Sequence, residues 1–249
     1  MLFSKKIFIF LFLSCVSIAN LPDLDTQESQ DLLDCVVSKR TSENFIINPE
    51  KVHFIEKAWS VNTGGPSCKN YYAITINGKF YKGNRLWDTR WNIIKDATDY
   101  DGKNILELGC NMGLIATCLK KYRNANVSVG VEGPDSFLAR QGSPHRVRAA
   151  KWFAQGFEVD VKFVQADLSG EPNYESKIGY DYDIVFCFSL MHWIKDKKRL
   201  LAYLSQFNEV IYEGHDGLTT ELNRFKQCGF NHYRILGRAK RGEIIHFTK

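Results

Sequence analysis

Cys-x-x-Cys pairs are missing from this chain, although it carries seven cysteines in 249 residues. A structural zinc, usually gathered by such closely spaced thiolates, is therefore disfavoured. No internal repeat or low-complexity tract is visible, so a solenoid is excluded. A concentrated basic patch is also lacking. The formal net charge of +5 permits an anionic substrate but does not indicate a nucleic-acid partner. The densest basic run, Lys195, Lys197, Lys198 and Arg199, reads as the solvated start of a helix rather than a phosphate track. Long apolar runs are scarce too: the stretch from Ile7 to about Ile18 is short for a membrane span. With 44% hydrophobic residues, the chain still has enough apolar surface to bury a full core.

The most informative segment runs from Asn104 to Ala116, NILELGCNMGLIA. An apolar run carries an acid, Glu107, near its end, and Gly109 and Gly113 then lead into a second apolar run. The pattern predicts a buried parallel strand, a tight turn and a helix, the place where α/β sheets bind nucleotide-like ligands. Glycine permits positive φ and lets the backbone approach a ligand with no Cβ in the way. A carboxylate at Glu107 is placed to accept from a cationic amine. The dinucleotide fingerprint Gly-x-Gly-x-x-Gly is not met by these glycines, so an NAD site is disfavoured.

Further strands follow in order. VSVGVEGP, Val127 to Pro134, ends in Glu132, and an acid about two dozen residues after a glycine turn suits two ribose hydroxyls. VDVKFVQADLS ends at Asp167, whose carboxylate suits an adenine amino group. DYDIVFCFSLMHWI, Asp181 to Ile194, supplies a fourth strand and NEVIYEGHD a fifth. After a helix near Leu218 to Cys228, GFNHYRILGR and GEIIHFTK are joined so briefly that they must pair antiparallel. The fold class expected is α/β: a doubly wound, mostly parallel seven-strand sheet with an antiparallel C-terminal hairpin, preceded by a small N-terminal extension.

The acid, the turn and the ordered strand-end acids together resemble class I S-adenosylmethionine-dependent methyltransferases over about residues 102–249. Asn111 stands where that family's middle glycine usually does. The resemblance implies S-adenosyl-L-methionine as cofactor. It places Glu107, Gly109, Asn111 and Gly113 along the methionine part, Glu132 at the ribose, and Asp167 with Leu168 at the adenine. Asparagine tolerates left-handed φ better than most residues, so the turn is expected to survive the replacement. The layout of a Trp- and Arg-containing helix, the glycine turn and GPDSFLARQ is similar to the bacterial tRNA wobble-uridine carboxymethyltransferase group, and the GCN turn resembles that of RNA-end methyltransferases. Neither likeness carries a substrate across, so the acceptor, a small molecule or an RNA, stays unidentified.

Catalytic candidates belong at the carboxyl ends of the fourth and fifth strands: His192 in SLMHWI, and Glu213 with His215 in YEGHD. Methyl transfer needs a lone pair aligned behind the methyl carbon, and an imidazole can take the proton of a protic acceptor. His192 is the working base, with Glu213 as its orienting partner; no metal is assigned. Two other function classes stay open: a non-catalytic module that keeps the cofactor fold, and transfer of another group from a sulfonium cofactor.

The chain divides on sequence into residues 1–19, 20–100 and 101–249. MLFSKKIFIFLFLSCVSIAN has the basic start, apolar stretch and small-residue end of a secretory signal, with cleavage expected after Ala19. An acylated Cys15 and an uncleaved, cytoplasmic chain are the alternatives, and membrane contact is expected only through this segment. Cys110, Cys118 and Cys187 fall in core segments, whereas Cys35, Cys68 and Cys228 are the candidates for pairing. In the middle third, Gln27 to Arg40 reads as a short helix, and NYYAITINGKFY carries an Asn77-Gly78 hairpin turn. GNRLWDTRWNII follows. Its Arg85, Trp87, Arg90 and Trp91 either clamp a planar or anionic ligand, or pack the two tryptophans on the sheet while the arginines stay wet. The second reading is favoured.

Overall fold

The computed structural model describes residues 43–62, 70–134, 145–239 and 242–249, which fall in one compact unit. The signal-like segment, the helix expected over Gln27 to Arg40, and Cys35 and Cys68 lie outside the described residues. Among the described residues, no helix is long and apolar enough to cross a membrane.

A small sheet opens the described chain: β1 (Asn44–Phe45), β2 (Tyr72–Ile76), β3 (Lys79–Tyr81) and β4 (Arg85–Leu86). β2 pairs antiparallel with β3 and parallel with β1 and β4. The β2–β3 turn is the expected Asn77-Gly78, with φ of 48° and 76°. Positive φ at both central residues is what a tight hairpin needs to match the strand twist. Helix α1 (Val52–Asn62) precedes β2, and helix α2 (Trp87–Ile94) follows β4 directly.

On α2, Trp87 and Trp91 are spaced i and i+4, are both buried, and stack with ring centroids 5.9 Å apart. The tryptophan half of the packing expectation therefore holds. The arginine half does not, because Arg90 is only 3% exposed. Residue i+3 shares a helical face with i and i+4, so burying the two tryptophans carries Arg90 inward with them.

The main sheet contains β5 (Ile105–Leu108), β6 (Ser128–Glu132), β7 (Lys162–Gln165), β8 (Ile184–Phe188), β9 (Glu209–Glu213), β10 (His232–Arg238) and β11 (Glu243–Thr248). Their spatial order is β7-β6-β5-β8-β9-β11-β10. The first five in space are parallel, and β11 runs antiparallel to both β9 and β10, as the short final hairpin requires. The intervening helices are α3 (Leu114–Tyr122), α4 (Arg146–Gly156), α5 (Tyr174–Ile178), α6 (Lys197–Leu204) and α7 (Leu218–Gln227). The basic run is indeed a helix start, with Asp196 capping α6 by accepting from Arg199 N at 3.0 Å.

Strands β5, β6 and β8 are buried along their whole length, which is why they read as continuous apolar runs rather than alternating ones. Their side chains divide between two cores. Leu106, Val185 and Tyr212 pack on one face with Leu200 and Phe225. Ile105, Phe186 and Ile211 pack on the other with Phe45, Ile55, Trp91 and Phe153. The segment before residue 100 thus shares one hydrophobic core with the segment after it. Cys110, Cys118 and Cys187 are buried free thiols, and Cys228 is a half-buried one. From β5 the chain crosses to β6 on one side, and it returns to β8 on the other side. Such a reversal opens a crevice at the carboxyl ends of β5 and β8.

Candidate functional site

The β5–α3 turn lies at that crevice. Gly109, Asn111 and Gly113 have φ of 70°, 52° and 66°, so every second residue is left-handed. Asn111 therefore adopts the conformation expected of the glycine it replaces. Gly113 is confined by space as well, since a Cβ there would lie 2.4 Å from Phe163 Cε1. Gly109 faces Leu190, whose Cδ1 would be 3.0 Å from an added Cβ. The turn thus touches β7 on one side and the β8 exit on the other.

Glu107 points from β5 under the start of α3, where its Oε2 accepts from Ala116 N at 2.9 Å. A helix N-terminus favours a carboxylate. Burial works the other way and dominates, pushing the Glu107 pKa up to about 8, with the nearby Glu132 adding to the rise. The folded value exceeds the unfolded one, near 4.5. Between these values the unfolded chain gives up a proton that the folded chain keeps, so stability falls as pH rises from about 4.5 to 8. Glu107→Gln, which keeps an oxygen for Ala116 N–H, is expected to remove that loss. The wild-type melting temperature should drop further than the variant's between pH 5 and 8, by up to about 1.4 kcal/mol of stability per pH unit. Parallel curves for the two proteins would refute the raised pKa.

Glu132, at the end of β6, turns back toward the same turn. Its Oε2 accepts from Asn111 N at 2.6 Å and its Oε1 from Gly133 N at 3.0 Å, while Arg146 Nη1 stands 3.7 Å from Oε1. Asp167 follows β7. Its Oδ1 accepts from Ser169 N at 2.9 Å, and its own N–H is held by Glu171 Oε2 at 3.0 Å. Leu168 beside it is buried. The structure thus gathers Glu107, Gly109, Asn111, Gly113 and Glu132 around one turn, with Asp167 and Leu168 two strands away along the same edge of the sheet.

A second group sits at the exits of β8 and β9. Ser189, the first residue past β8, is left-handed with φ of 51°. A short 3₁₀ helix, Met191–Trp193, follows and presents His192. The His192 ring lies 4.3 Å from the His215 ring and 4.8 Å from the Trp193 ring, centroid to centroid. Both histidines line a narrow crevice that also includes Ser189, Leu190, Glu213 and Asp216. Trp193, 56% exposed, stands at its edge.

Glu213 is wholly buried, and the partner it meets is Arg90 of α2. Arg90 Nη2 donates to Glu213 Oε2, and also to Ser189 Oγ at 3.0 Å. Arg90 Nη1 donates to Tyr72 OH. Arg85 Nη1 stands 4.0 Å from the other carboxylate oxygen, and its guanidinium lies 4.5 Å above the Tyr71 ring. The sequence reading set Glu213 behind His192. In the structure its carboxylate is held by the arginine, and the hydroxyl of Ser189 is the group next to His215, at 3.2 Å from Nε2. Tyr72 and Ser189 were not among the sequence candidates, and Arg90 was considered only as one of two arginines in the ligand-clamp reading. Only Arg90 had a legible signal, its i+3 spacing from Trp87.

No protein-family model matches this chain, and no curated protein sequence does. Its structure does match solved ones. EvdMO1 aligns with a TM-score of 0.55 at 16% identity over 79% of this chain, which spans 47% of that protein's length. The N-terminal domain of EvdMO1, crystallised in the presence of SAH and D-fucose, aligns with a TM-score of 0.55 at 16% identity, over 80% of this chain and 96% of that domain. The same domain with SAH bound gives a TM-score of 0.54 at 15% identity, over 79% and 94%. The fold is a class I methyltransferase fold, here a mostly parallel seven-strand sheet whose next-to-last strand is antiparallel.

Proposed function

We propose that this protein transfers a methyl group from S-adenosyl-L-methionine to a small hydroxylated acceptor. The observation that carries the reading is the β5–α3 turn, with left-handed backbone at Gly109, Asn111 and Gly113 and the Glu132 carboxylate on the amide of Asn111. A turn of this kind brings backbone close to a ligand, and the carboxylate next to it suits a vicinal diol. In this reading Glu107 and the turn take the methionine end, Glu132 exchanges its backbone partners for the ribose hydroxyls, and Asp167 with Leu168 flanks the adenine. The neighbour crystallised in the presence of SAH and D-fucose supports the cofactor, and the D-fucose present with it is the reason a small hydroxylated acceptor is preferred here.

Held by Glu107, the turn and Glu132, the cofactor would supply an electrophilic methyl group, whose bonding electron pair would stay on sulfur when an acceptor oxygen takes the carbon. The hydroxyl proton passes to an imidazole, and His192 on the crevice rim is the group assigned to take it. The His215 ring lies beside it, and the buried Glu213 is paired with Arg90.

The first test is thermal unfolding with S-adenosylhomocysteine. A ligand that binds only the native state stabilises it by about 2.7 kcal/mol at a hundredfold excess over its dissociation constant. A rise of several degrees in melting temperature is expected. No shift at millimolar ligand removes the methyltransferase reading and leaves the non-catalytic module.

A further inference from the structure

Two imidazoles lie in tilted contact at the exits of β8 and β9, and the contacts behind them distinguish their roles. Ser189 Oγ touches Arg90 Nη2 at 3.0 Å and His215 Nε2 at 3.2 Å. A guanidinium can only donate hydrogen bonds, so it occupies a lone pair of the hydroxyl and leaves the hydroxyl hydrogen to be placed. Of these two neighbours, the imidazole nitrogen is the one able to accept it. A chain of donors can then run in one direction, from Arg90 to Ser189 to His215 Nε2.

We propose that Arg90 and Ser189 are positioning residues that hold His215 as the neutral tautomer with its proton on Nδ1, so that His215 orients and His192 alone receives the acceptor's proton. This assignment rests on the methyltransferase reading for its chemistry, but its geometry stands apart from it. An imidazole whose Nε2 accepts from Ser189 cannot use that nitrogen as a base, whereas its Nδ1–H remains a donor. His192 shares the crevice rim, its ring tilted by 31° against that of His215. Protonating His215 would also place a second cation against a hydroxyl already receiving from Arg90. The pair thus has one member fixed neutral and one able to cycle.

The charges around His215 are consistent with this division. Arg90 and Glu213 form a buried ion pair on the β8–β9 side. Asp216 is the next residue, paired with Arg224 at 2.8 Å and standing 4.0 Å from Lys197. On the far side, Glu221, Arg238 and Glu243 line an adjoining cavity of about 200 Å³. Arg238 pairs with Glu243 at 3.0 Å, and Arg224 with Glu221 at 2.6 Å. Each of these carboxylates has a cation beside it, and the contact between Ser189 Oγ and Nε2 adds a directed hydrogen bond at the ring.

Backbone geometry places Ser189 for this role. Its φ of 51° is a conformation that L residues without a short polar side chain rarely adopt, and its N–H is fixed by Glu213 O at 2.8 Å. Strand β9 thereby sets both ends of the relay, holding the Ser189 backbone through one atom of Glu213 and the Arg90 guanidinium through another.

The test is nitrogen NMR of the full chain with ¹⁵N-labelled imidazoles at pH 8, with His215 signals assigned by their loss in His215→Gln. Wild type should show His215 protonated on Nδ1. Ser189→Gly, which removes the hydroxyl, tolerates the left-handed backbone and keeps the Arg90–Glu213 pair, should shift it to the Nε2-protonated form or to a mixture. Wild-type His215 protonated on Nε2, or a tautomer unchanged in Ser189→Gly, would overturn the proposal. Calorimetry with S-adenosylhomocysteine on the same two proteins separates the two claims. Binding by wild type is expected, and its failure would sink the methyltransferase reading while the tautomer result stood on its own.

Discussion

Arg90→Met is expected to destabilise the protein by about 3–5 kcal/mol, because it strands the wholly buried Glu213 without its guanidinium. The loss follows from asymmetry in burying charge. A paired ion in the interior roughly offsets its desolvation, whereas a single charge left behind has no such compensation. Arg85, at 4.0 Å, is too far to form the missing hydrogen bonds without moving. The double variant Arg90→Met/Glu213→Gln removes both charges and should recover most of the lost stability. Urea unfolding of the wild type, the single variant and the double variant reads both numbers from one series. A single-variant loss below about 1 kcal/mol, within the range of an exposed ion pair, would show that the buried pair does not have this role.

Gly113→Ala is the second large expected effect. The new methyl would lie 2.4 Å from Phe163 Cε1 and 2.7 Å from Cζ, on backbone with φ of 66°. Left-handed backbone costs a Cβ about 1–2 kcal/mol, and forcing an extra carbon into a packed site adds about 1–3 kcal/mol. Together they predict a loss of about 2–5 kcal/mol in the same unfolding assay. Asn111→Gly, which relaxes φ and removes no buried apolar side chain, should stay near neutral. A Gly113→Ala protein as stable as wild type would mean that the turn does not have the backbone described here.

Much of this was legible in the sequence, and the reasons differ by element. Strands β5, β6 and β8 could be read because strands buried on both faces appear as unbroken apolar runs, and the glycine turn because left-handed backbone restricts residue choice. The antiparallel final pair followed from its short connection alone. The left-handed Asn111 was anticipated for the same reason that asparagine is the usual substitute for glycine at positive φ.

What sequence reasoning did not reach were contacts between segments far apart in the chain. Arg90 and Glu213 are 123 residues apart, and Arg90 and Ser189 are 99. No local pattern announces such pairs. Arg90 was assigned to solvent because arginine usually prefers it, although its spacing from Trp87 already put it on the buried face. Ser189 carried no signal, since a left-handed serine just past a strand looks like any other serine. Glu132 was read as free for a diol. In the structure its carboxylate is already on the amides of Asn111 and Gly133, which is the reason its side chain points into the turn.

That carboxylate is where the account is most directly exposed. Calorimetric titration of S-adenosylhomocysteine into the wild-type chain and into Glu132→Ala measures whether the turn and its acid form a cofactor cradle. The account predicts one ligand per wild-type chain and an affinity about 10- to 100-fold weaker in the variant, the loss of about 1.5–3 kcal/mol expected when hydrogen bonds to a charged group go. Equal affinity in the two proteins, or no binding by wild type, would contradict it.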